Sequence, residues 1–462
     1  MSFFNDKVSG KTVNKAGGFA LSHNPETELV FAVLTTFLGN KFYESGDERI
    51  ERITSLCSQV SDEFISRLAV YARREFHLRS VSHLLVSILA KKHRGDSLVR
   101  NTIVAISERP DDLTEIVAAC GFPMAKQVKR GVRRSLYKFS PYQLAKYKMT
   151  QKKVSLVDLF NLTHPKPEFA SEEQKVAWAS LIKGNLVSSG TWESELSAGK
   201  DKAKVWNDLV MENKLGYMAL LRNLRNIDEQ ASESVKDKAC EMISDKERVL
   251  KSKQLPFRFY SAYEQITNQN MLEAVSRALD HSVSNVPSFQ GKSLIAIDCS
   301  GSMMSGAIKV ASIFAAALIK SNNADVILYD TDIKELKYIK SDSTLTIANT
   351  IQSQADGGGT NTSLVFQYAH QKAIKYGRII ILSDNESWTD SYYNSGTQDT
   401  YKEYRKENDC YVYALDIEGY GTKDIDSEKV LHVAGWSEKI LDFIKNAESK
   451  DDLVKAIKNY EI

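Results

Sequence analysis

Apolar residues recur at helical spacing through the first part of the chain. Leu56, Val60, Phe64, Leu68 and Tyr71 form one stripe; Val81, Leu84, Leu85, Ile88 and Leu89 form another. Spacings of three and four residues place such positions on one helix face. The segments are short and separated by brief polar breaks, which predicts consecutive helices stacked as hairpins in a solenoid. No strict period repeats, so an irregular helical domain is the alternative. Residues 283–291 hold the last of the eight prolines, Pro287, and read as a linker. Beyond it, short apolar runs at 293–298, 325–330, 378–383 and 411–416 alternate with helical stretches at 307–320 and 363–376. Strands separated by helices predict a parallel, doubly wound sheet. The expected architecture is a helical-repeat domain over residues 1–286, followed by an α/β domain over 287–462.

Charge changes this picture by giving the two parts different partners. The 61 Lys and Arg nearly balance 59 Asp and Glu, which argues against a dedicated polybasic binder. Yet residues 1–290 carry a net +8 and residues 291–462 a net −6. The five cysteines (Cys57, Cys120, Cys240, Cys299 and Cys410) stand far apart, unlike a disulfide framework or a zinc knuckle. The apolar stretch 29–38 is interrupted by Thr35 and Thr36 and is too short to span a bilayer. The first residues lack the pattern of a secretory signal. The expectation is a reduced, cytoplasmic, monomeric protein with no membrane partner.

Several expected strands end in aspartate: Asp298, Asp330, Asp384 (after Ser383) and Asp416. Ligands of such sheets sit beyond the carboxyl ends of the strands. Asp298-Cys299-Ser300-Gly301-Ser302 is D-x-S-x-S, whose carboxylate and two hydroxyls suit a hard cation such as Mg²⁺. Alone the motif is weak, because Asp and Ser are common turn residues. The loop Gly357-Gly358-Gly359-Thr360-Asn361 and the strand-end Asp384 strengthen it. Together, Asp298, Ser300, Ser302, Thr360 and Asp384 resemble the metal-ion-dependent adhesion site of von Willebrand factor A domains. The resemblance implies that these five residues ligate the metal directly or through water, leaving a position for a partner's carboxylate. The alternative is an empty site that braces its loops. Enzymatic readings fit less well: a haloacid-dehalogenase-type phosphatase would need an Asp where Ser300 stands. The glycine loop lacks the Lys of a P-loop, and a two-metal nuclease needs more convergent carboxylates.

The strongest departure from background composition lies between residues 116 and 157, with ten Lys or Arg and no Asp or Glu. Lys126, Lys129, Arg130, Arg133 and Arg134 share one face of an expected helix, with Val128, Val132, Leu136 and Phe139 opposite and Pro123 in the first turn. Gly131 is the objection, at about 1 kcal/mol against Ala. Lys138, Lys146, Lys148, Lys152 and Lys153 extend the charge, with Tyr137, Tyr142 and Tyr147 interleaved. Such a stretch fits phosphate backbones through counterion release, and tyrosines offer stacking surface for unpaired bases. The competing reading is a face neutralised by acidic residues of neighbouring helices.

The run Lys129-Arg-Gly-Val-Arg-Arg134, then Leu144-Ala-Lys-Tyr-Lys148, then Leu159-Phe-Asn-Leu-Thr-His164-Pro-Lys-Pro167, resembles the Ro autoantigen ribonucleoprotein (TROVE) family. So do Asn14-Lys-Ala-Gly-Gly-Phe19 and Ala219-Leu-Leu-Arg-Asn-Leu224. The resemblance covers nearly the whole chain. It implies a ring of HEAT-like helical repeats closed by a C-terminal von Willebrand factor A domain. It also implies binding of single-stranded 3′ ends of misfolded RNAs and of small Y-like RNAs, with an exoribonuclease as a possible tethered partner. Lys129, Arg130, Arg133 and Arg134 match the family's RNA-contacting helix. One family histidine is absent, with Leu156 in its place.

Other residues have local readings. Arg73, Arg74, His77 and Arg79 either line a hole or complement a helix dipole. Asn223 and Asn226 are expected to hydrogen-bond between repeats beside Arg222 and Arg225. His164 is expected to brace a turn before its prolines, Cys299 to lie in the core, and Trp388 to face a partner or cap the sheet rim. The function expected is a non-catalytic RNA-binding scaffold. The alternatives are a metal-dependent protein-interaction module and a divalent-metal ribonuclease.

Overall fold

The structure is a computed structural model and describes residues 11–13, 19–22, 24–34, 45–148, 153–187, 201–387, 396–420, 422–427, 429–434 and 453–462. Residues 14–18, 35–38, Lys152 and Trp388, which carry some of the expectations above, lie outside the described residues. The chain divides into two compact units, each assembled from separate segments. One comprises residues 47–201 with 454–462, the other residues 1–46 with 202–453. The helices in order are α1 (Pro25–Leu34), α2 (Gly46–Gln59), α3 (Asp62–Arg74), α4 (Ser80–Lys92), α5 (Leu98–Ile106), α6 (Pro110–Cys120), α7 (Lys126–Leu136), α8 (Pro141–Lys146), α9 (Leu156–Thr163) and α10 (Glu172–Ile182).

In the first unit the helices pack in alternation, α3 on α4 and α5, α5 on α7, α7 on α9, and α4 on α6. This is the hairpin stacking expected from the apolar stripes. The stripe from Leu56 to Tyr71 spans two helices, because Ser61 stops one and caps the next by accepting from Phe64 N. Ser140 with Gln143, Ser155 with Asp158 and Ser171 with Gln174 form reciprocal capping boxes at α8, α9 and α10. Gly131 sits where α7 crosses α5: a Cβ there would stand 2.9 Å from Ile103 Cβ and 3.2 Å from the Arg100 carbonyl. Close approach, not a defect, accounts for the glycine. Pro123 precedes α7 and is not in its first turn. The end of the chain belongs to this unit: Tyr460 meets Tyr71 edge to face at 5.3 Å and donates to Glu75 at 2.8 Å.

The second unit holds an α/β layer whose strands β3 (Ser293–Asp298), β4 (Ala324–Tyr329), β5 (Ile333–Glu335), β6 (Arg378–Ser383), β7 (Tyr411–Asp416) and β9 (Val430–Ala434) pair in the order β5-β4-β3-β6-β7-β9. All pairs are parallel except β4 with β5. The expected all-parallel sheet is therefore mixed, with one antiparallel edge strand. β3 and β6 are buried along their whole length, as central strands covered on both faces must be. Leu294, Ala296, Ile327, Phe366, Ile379, Ile381, Tyr401 and Tyr404 share one core. The helix expected over 363–376 ends at Gln371, before Ala373 at φ 50°. A small sheet joins β1 (Lys11–Val13), β2 (Phe19–Ser22) and β8 (Thr422–Lys423), with Leu21 opposite Lys423.

Residues 283–291 are packed within this unit and are not a loose linker. Val283 and Val286 are buried, Asn285 Nδ2 donates to the Gln254 carbonyl at 3.0 Å, and the Arg378 guanidinium lies over the Phe289 ring. Helices Lys202–Met211, Tyr217–Gln230 and Glu233–Ser244 pack in succession, and Gln269–Ser282 packs on both Glu233–Ser244 and Pro256–Tyr263. Pro256–Tyr263 and Gln269–Ser282 also pack on the helices of the sheet domain.

Candidate functional site

The five residues expected to ligate a metal come from three segments, two of them at the carboxyl ends of β3 and β6. Asp298 ends β3; its Oδ1 accepts from Ser300 N at 2.9 Å and its Oδ2 from the Ser383 hydroxyl at 2.5 Å. The Ser300 and Ser302 hydroxyls stand 3.3 Å apart. Gly301 N donates to the Gly358 carbonyl at 2.8 Å, tying the serine loop to the glycine loop. A Cβ on Gly358 would come within 2.9 Å of Asp330 Oδ2, so the close approach requires glycine. The loop then delivers Thr360, whose carbonyl accepts from the Ser387 hydroxyl at 3.2 Å. All five expected ligands are buried.

Their electrostatics favour a cation. Burial, then the charge of Asp298, pushes the Asp384 carboxyl well above the ordinary carboxylate range. Burial, with Asp330 adding to it, pushes Asp298 up to about 6 against hydrogen bonds from Ser300 and Ser383. Asp384 Oδ2 is buried without a hydrogen-bond partner. Buried carboxylates facing one another need a counter-charge, and two hydroxyls beside them suit Mg²⁺. Among the described residues no cluster of three His, Cys, Asp or Glu side chains forms a metal site; this donor set depends on hydroxyls. The other two rim aspartates brace loops. Asp330 accepts from Asp332 N and Gly358 N, and Asp416 from Glu418 N and Gly419 N. Cys299 lies in the core, its thiol pushed up to about 12 by burial.

The basic face lies in the first unit. Among the described residues, Lys126, Lys129, Arg130, Arg133 and Arg134 have no carboxylate within ion-pair distance, so neighbouring helices do not neutralise them. Arg130, Arg133 and Arg134 line a pocket with Arg100 of α5 and Tyr137, and Lys166 and Phe169 close it. Lys126 and Lys129 are exposed on the same helix. Lys138 is placed differently: its ammonium donates to the carbonyls of Val104 at 2.6 Å and Ser107 at 2.8 Å, at the end of α5. Arg100, Lys166 and Phe169 escape sequence reasoning because they come from other turns of the chain, brought alongside α7 only by packing.

Arg73 stands with Arg74 in the last turn of α3, where a cation complements the helix dipole, and Arg73 and Arg79 have a further role. They form a buried ion-pair network with α6, Arg73 reaching Asp112 and Glu108, Arg79 reaching Asp111, Asp112 and Glu115. Asn223 and Asn226 bond within their own helix, to the Ala219 carbonyl and to Asn223, and not between repeats. His164 braces a turn as expected, ending α9 in the left-handed conformation. Leu156 is 2% exposed, so the position of the family histidine is core here.

The chain thus combines stacked helices with an α/β layer of the von Willebrand factor A type. The TROVE domain matches residues 40–185 and 182–293, and the Ro60 vWA domain matches residues 292–447. The chain belongs to the TROVE family, whose members bind RNA in ribonucleoprotein complexes. Its fold is similar to that of the Ro (Rsr) protein of Deinococcus radiodurans, with a TM-score of 0.62 over 95% of this chain and 100% of that one, at 15% identity. It is also similar to telomerase protein component 1 of Mus musculus, 38% identical over 89 residues, and of Rattus norvegicus, 22% identical over 315 residues. Those matches cover 19% and 50% of this chain but only 3% and 12% of those longer proteins. No helix among the described residues is long and apolar enough to cross a membrane.

Proposed function

We propose that the protein is a Ro-type RNA scaffold that captures single-stranded 3′ ends of misfolded RNAs and binds a small Y-like RNA for RNA quality control. The carrying observation is the unneutralised face of α7, where five cations lack carboxylate partners among the described residues. Concentrated positive charge without internal counter-charge gains free energy by displacing the cations condensed on RNA. In this reading the protein is a cytoplasmic monomer, and a bound Y-like RNA tethers an exoribonuclease. The role is non-catalytic. Asp330, and Asp416 through its Oδ1, accept from loop amides.

Replacing Lys129, Arg130, Arg133 and Arg134 together by Gln tests the reading. The slope of log K against log salt for RNA is expected to flatten by roughly three units; an unchanged slope would sink it. In the α/β domain, Asp298, Ser300, Ser302, Thr360 and Asp384 would hold Mg²⁺, which would supply a coordination position for a partner's carboxylate. Mg²⁺ is then expected to raise the melting temperature of the parent and not of Ser300→Ala.

A further inference from the structure

Phe169 is 71% exposed on a turn that the chain holds rigid. Pro165 and Pro167 flank Lys166, fixing φ on either side of it. Phe169 N donates to the Lys166 carbonyl and Ala170 N to the Pro167 carbonyl. The Tyr137 hydroxyl donates to the Lys166 carbonyl at 3.1 Å and so anchors the turn to the end of α7. Behind it, Tyr137 and Phe160 pack on the buried Trp178 ring. The aromatic core thus stops at Tyr137, and Phe169 stands in front of it without an aromatic neighbour among the described residues. Its company is cationic: the Lys166 ammonium lies 5.9 Å over its ring, and Arg100, Arg130 and Arg134 line the same pocket.

We infer that Phe169 is a stacking platform for one unpaired base, whose flanking phosphates are held by Arg100, Arg130 and Arg134. The inference rests on the RNA-binding reading and deepens it by assigning the substrate class of this pocket, a strand with unstacked bases. A paired stem offers the cations its phosphates as well, but its bases are stacked on one another and present no face to Phe169. A single strand offers both, and base–aromatic stacking is tolerant of sequence because every base has a π-face. The arginines therefore contribute to all RNA, whereas Phe169 contributes to single strands alone. A turn pre-set by two prolines loses little further freedom when a base docks on it.

The test compares two labelled probes by fluorescence anisotropy on the intact chain: a blunt two-strand RNA duplex, and the same duplex with a single-stranded uridine tail. Phe169→Ala is expected to weaken the tailed probe roughly tenfold, within the range of one stacked base, and to leave the blunt probe unchanged. Phe169→Trp is expected to restore the tailed probe. A 5-iodouridine in the tail should photocross-link to Phe169 in the parent. Equal weakening of both probes by Phe169→Ala would overturn the platform, as would no weakening of the tailed probe; in both cases RNA binding by the arginines would still stand. A parent that binds neither probe would overturn the RNA-binding reading itself.

Discussion

The Asp280 carboxylate closes the start of the helix beginning at Thr344: its Oδ1 accepts from Thr344 N at 2.7 Å and from the Thr344 hydroxyl at 2.6 Å. Asp280 lies in the last helix before the α/β domain, so a side chain of one element satisfies the backbone of another 64 residues on. Lys320 is 3.5 Å from the same oxygen. Replacing Asp280 with Ala removes charge-assisted bonds and a helix cap, at a cost of about 2 kcal/mol. A lowered melting temperature and faster amide exchange in residues 344–353 are expected; unchanged exchange there would refute the capping role.

Gly131→Ala sets helix propensity against packing. Alanine gains about 1 kcal/mol in an exposed helix, but here its Cβ would meet Ile103 and the Arg100 carbonyl. Overpacking of this kind costs about 1–3 kcal/mol, and a backbone carbonyl cannot swing aside. The expected result is a net loss of thermal stability, with weaker RNA binding because Arg100 and the α7 arginines shift relative to one another. A stabilised variant would contradict the crossing geometry.

Lys138 separates structural from binding cations. Lys138→Met leaves the Val104 and Ser107 carbonyls without their ammonium donor, at an expected cost of about 1–2 kcal/mol in unfolding free energy. The salt dependence of RNA binding should match that of the parent. A flattened salt slope would return Lys138 to the phosphate-binding set.

The network at the start of α6 predicts a pH response. Burial alone would raise the Asp112 pKa, but hydrogen bonds from His83 and Arg79 and the charge of Arg73 outweigh it and hold the carboxyl well below its usual range. A depressed carboxyl pKa contributes stability that is present above the unfolded value, about 3.9, and is lost as pH falls through the folded one. His83 acts in the opposite sense. Burial lowers its pKa, Asp112 and Glu115 raise it further, and its contribution, present below about pH 6.5, fades as pH rises. Asp112→Asn removes one partner while Arg73 keeps Glu108 and Arg79 keeps Asp111 and Glu115, a loss of about 1–3 kcal/mol. Melting temperatures taken across acid pH should fall less steeply in the variant than in the parent.

What could be read in advance divides along physical lines. The strands 293–298, 378–383 and 411–416 were legible because central strands of such a sheet are apolar on both faces. β5 was not: Ile333-Lys334-Glu335 has no apolar pattern and is a strand only because β4 pairs with it. β8 likewise exists through its pairing with β2, which is distant in sequence. The cations of α7 were legible because 3.6-residue periodicity places them on one face. Lys138 was not, because the helix ends at Leu136 and periodicity has no meaning beyond it. The strand-end positions of Asp298 and Asp384 were legible from the apolar runs that precede them. The sorting of the rim aspartates was not, since it depends on which amides the loops turn toward Asp330 and Asp416.

The discontinuity of the two units bears on how the chain matures. Tyr460 seals against Tyr71, and β8 supplies a second partner for β2, so each unit recruits a piece from several hundred residues downstream. A nascent chain emerging from the ribosome would present the helices from α2 to α10 long before their last contact was made. β1 and β2 pair with one another early, but β8 reaches β2 only after the whole α/β layer up to Lys423 has been made, so neither unit can finish folding until its distant segment has emerged.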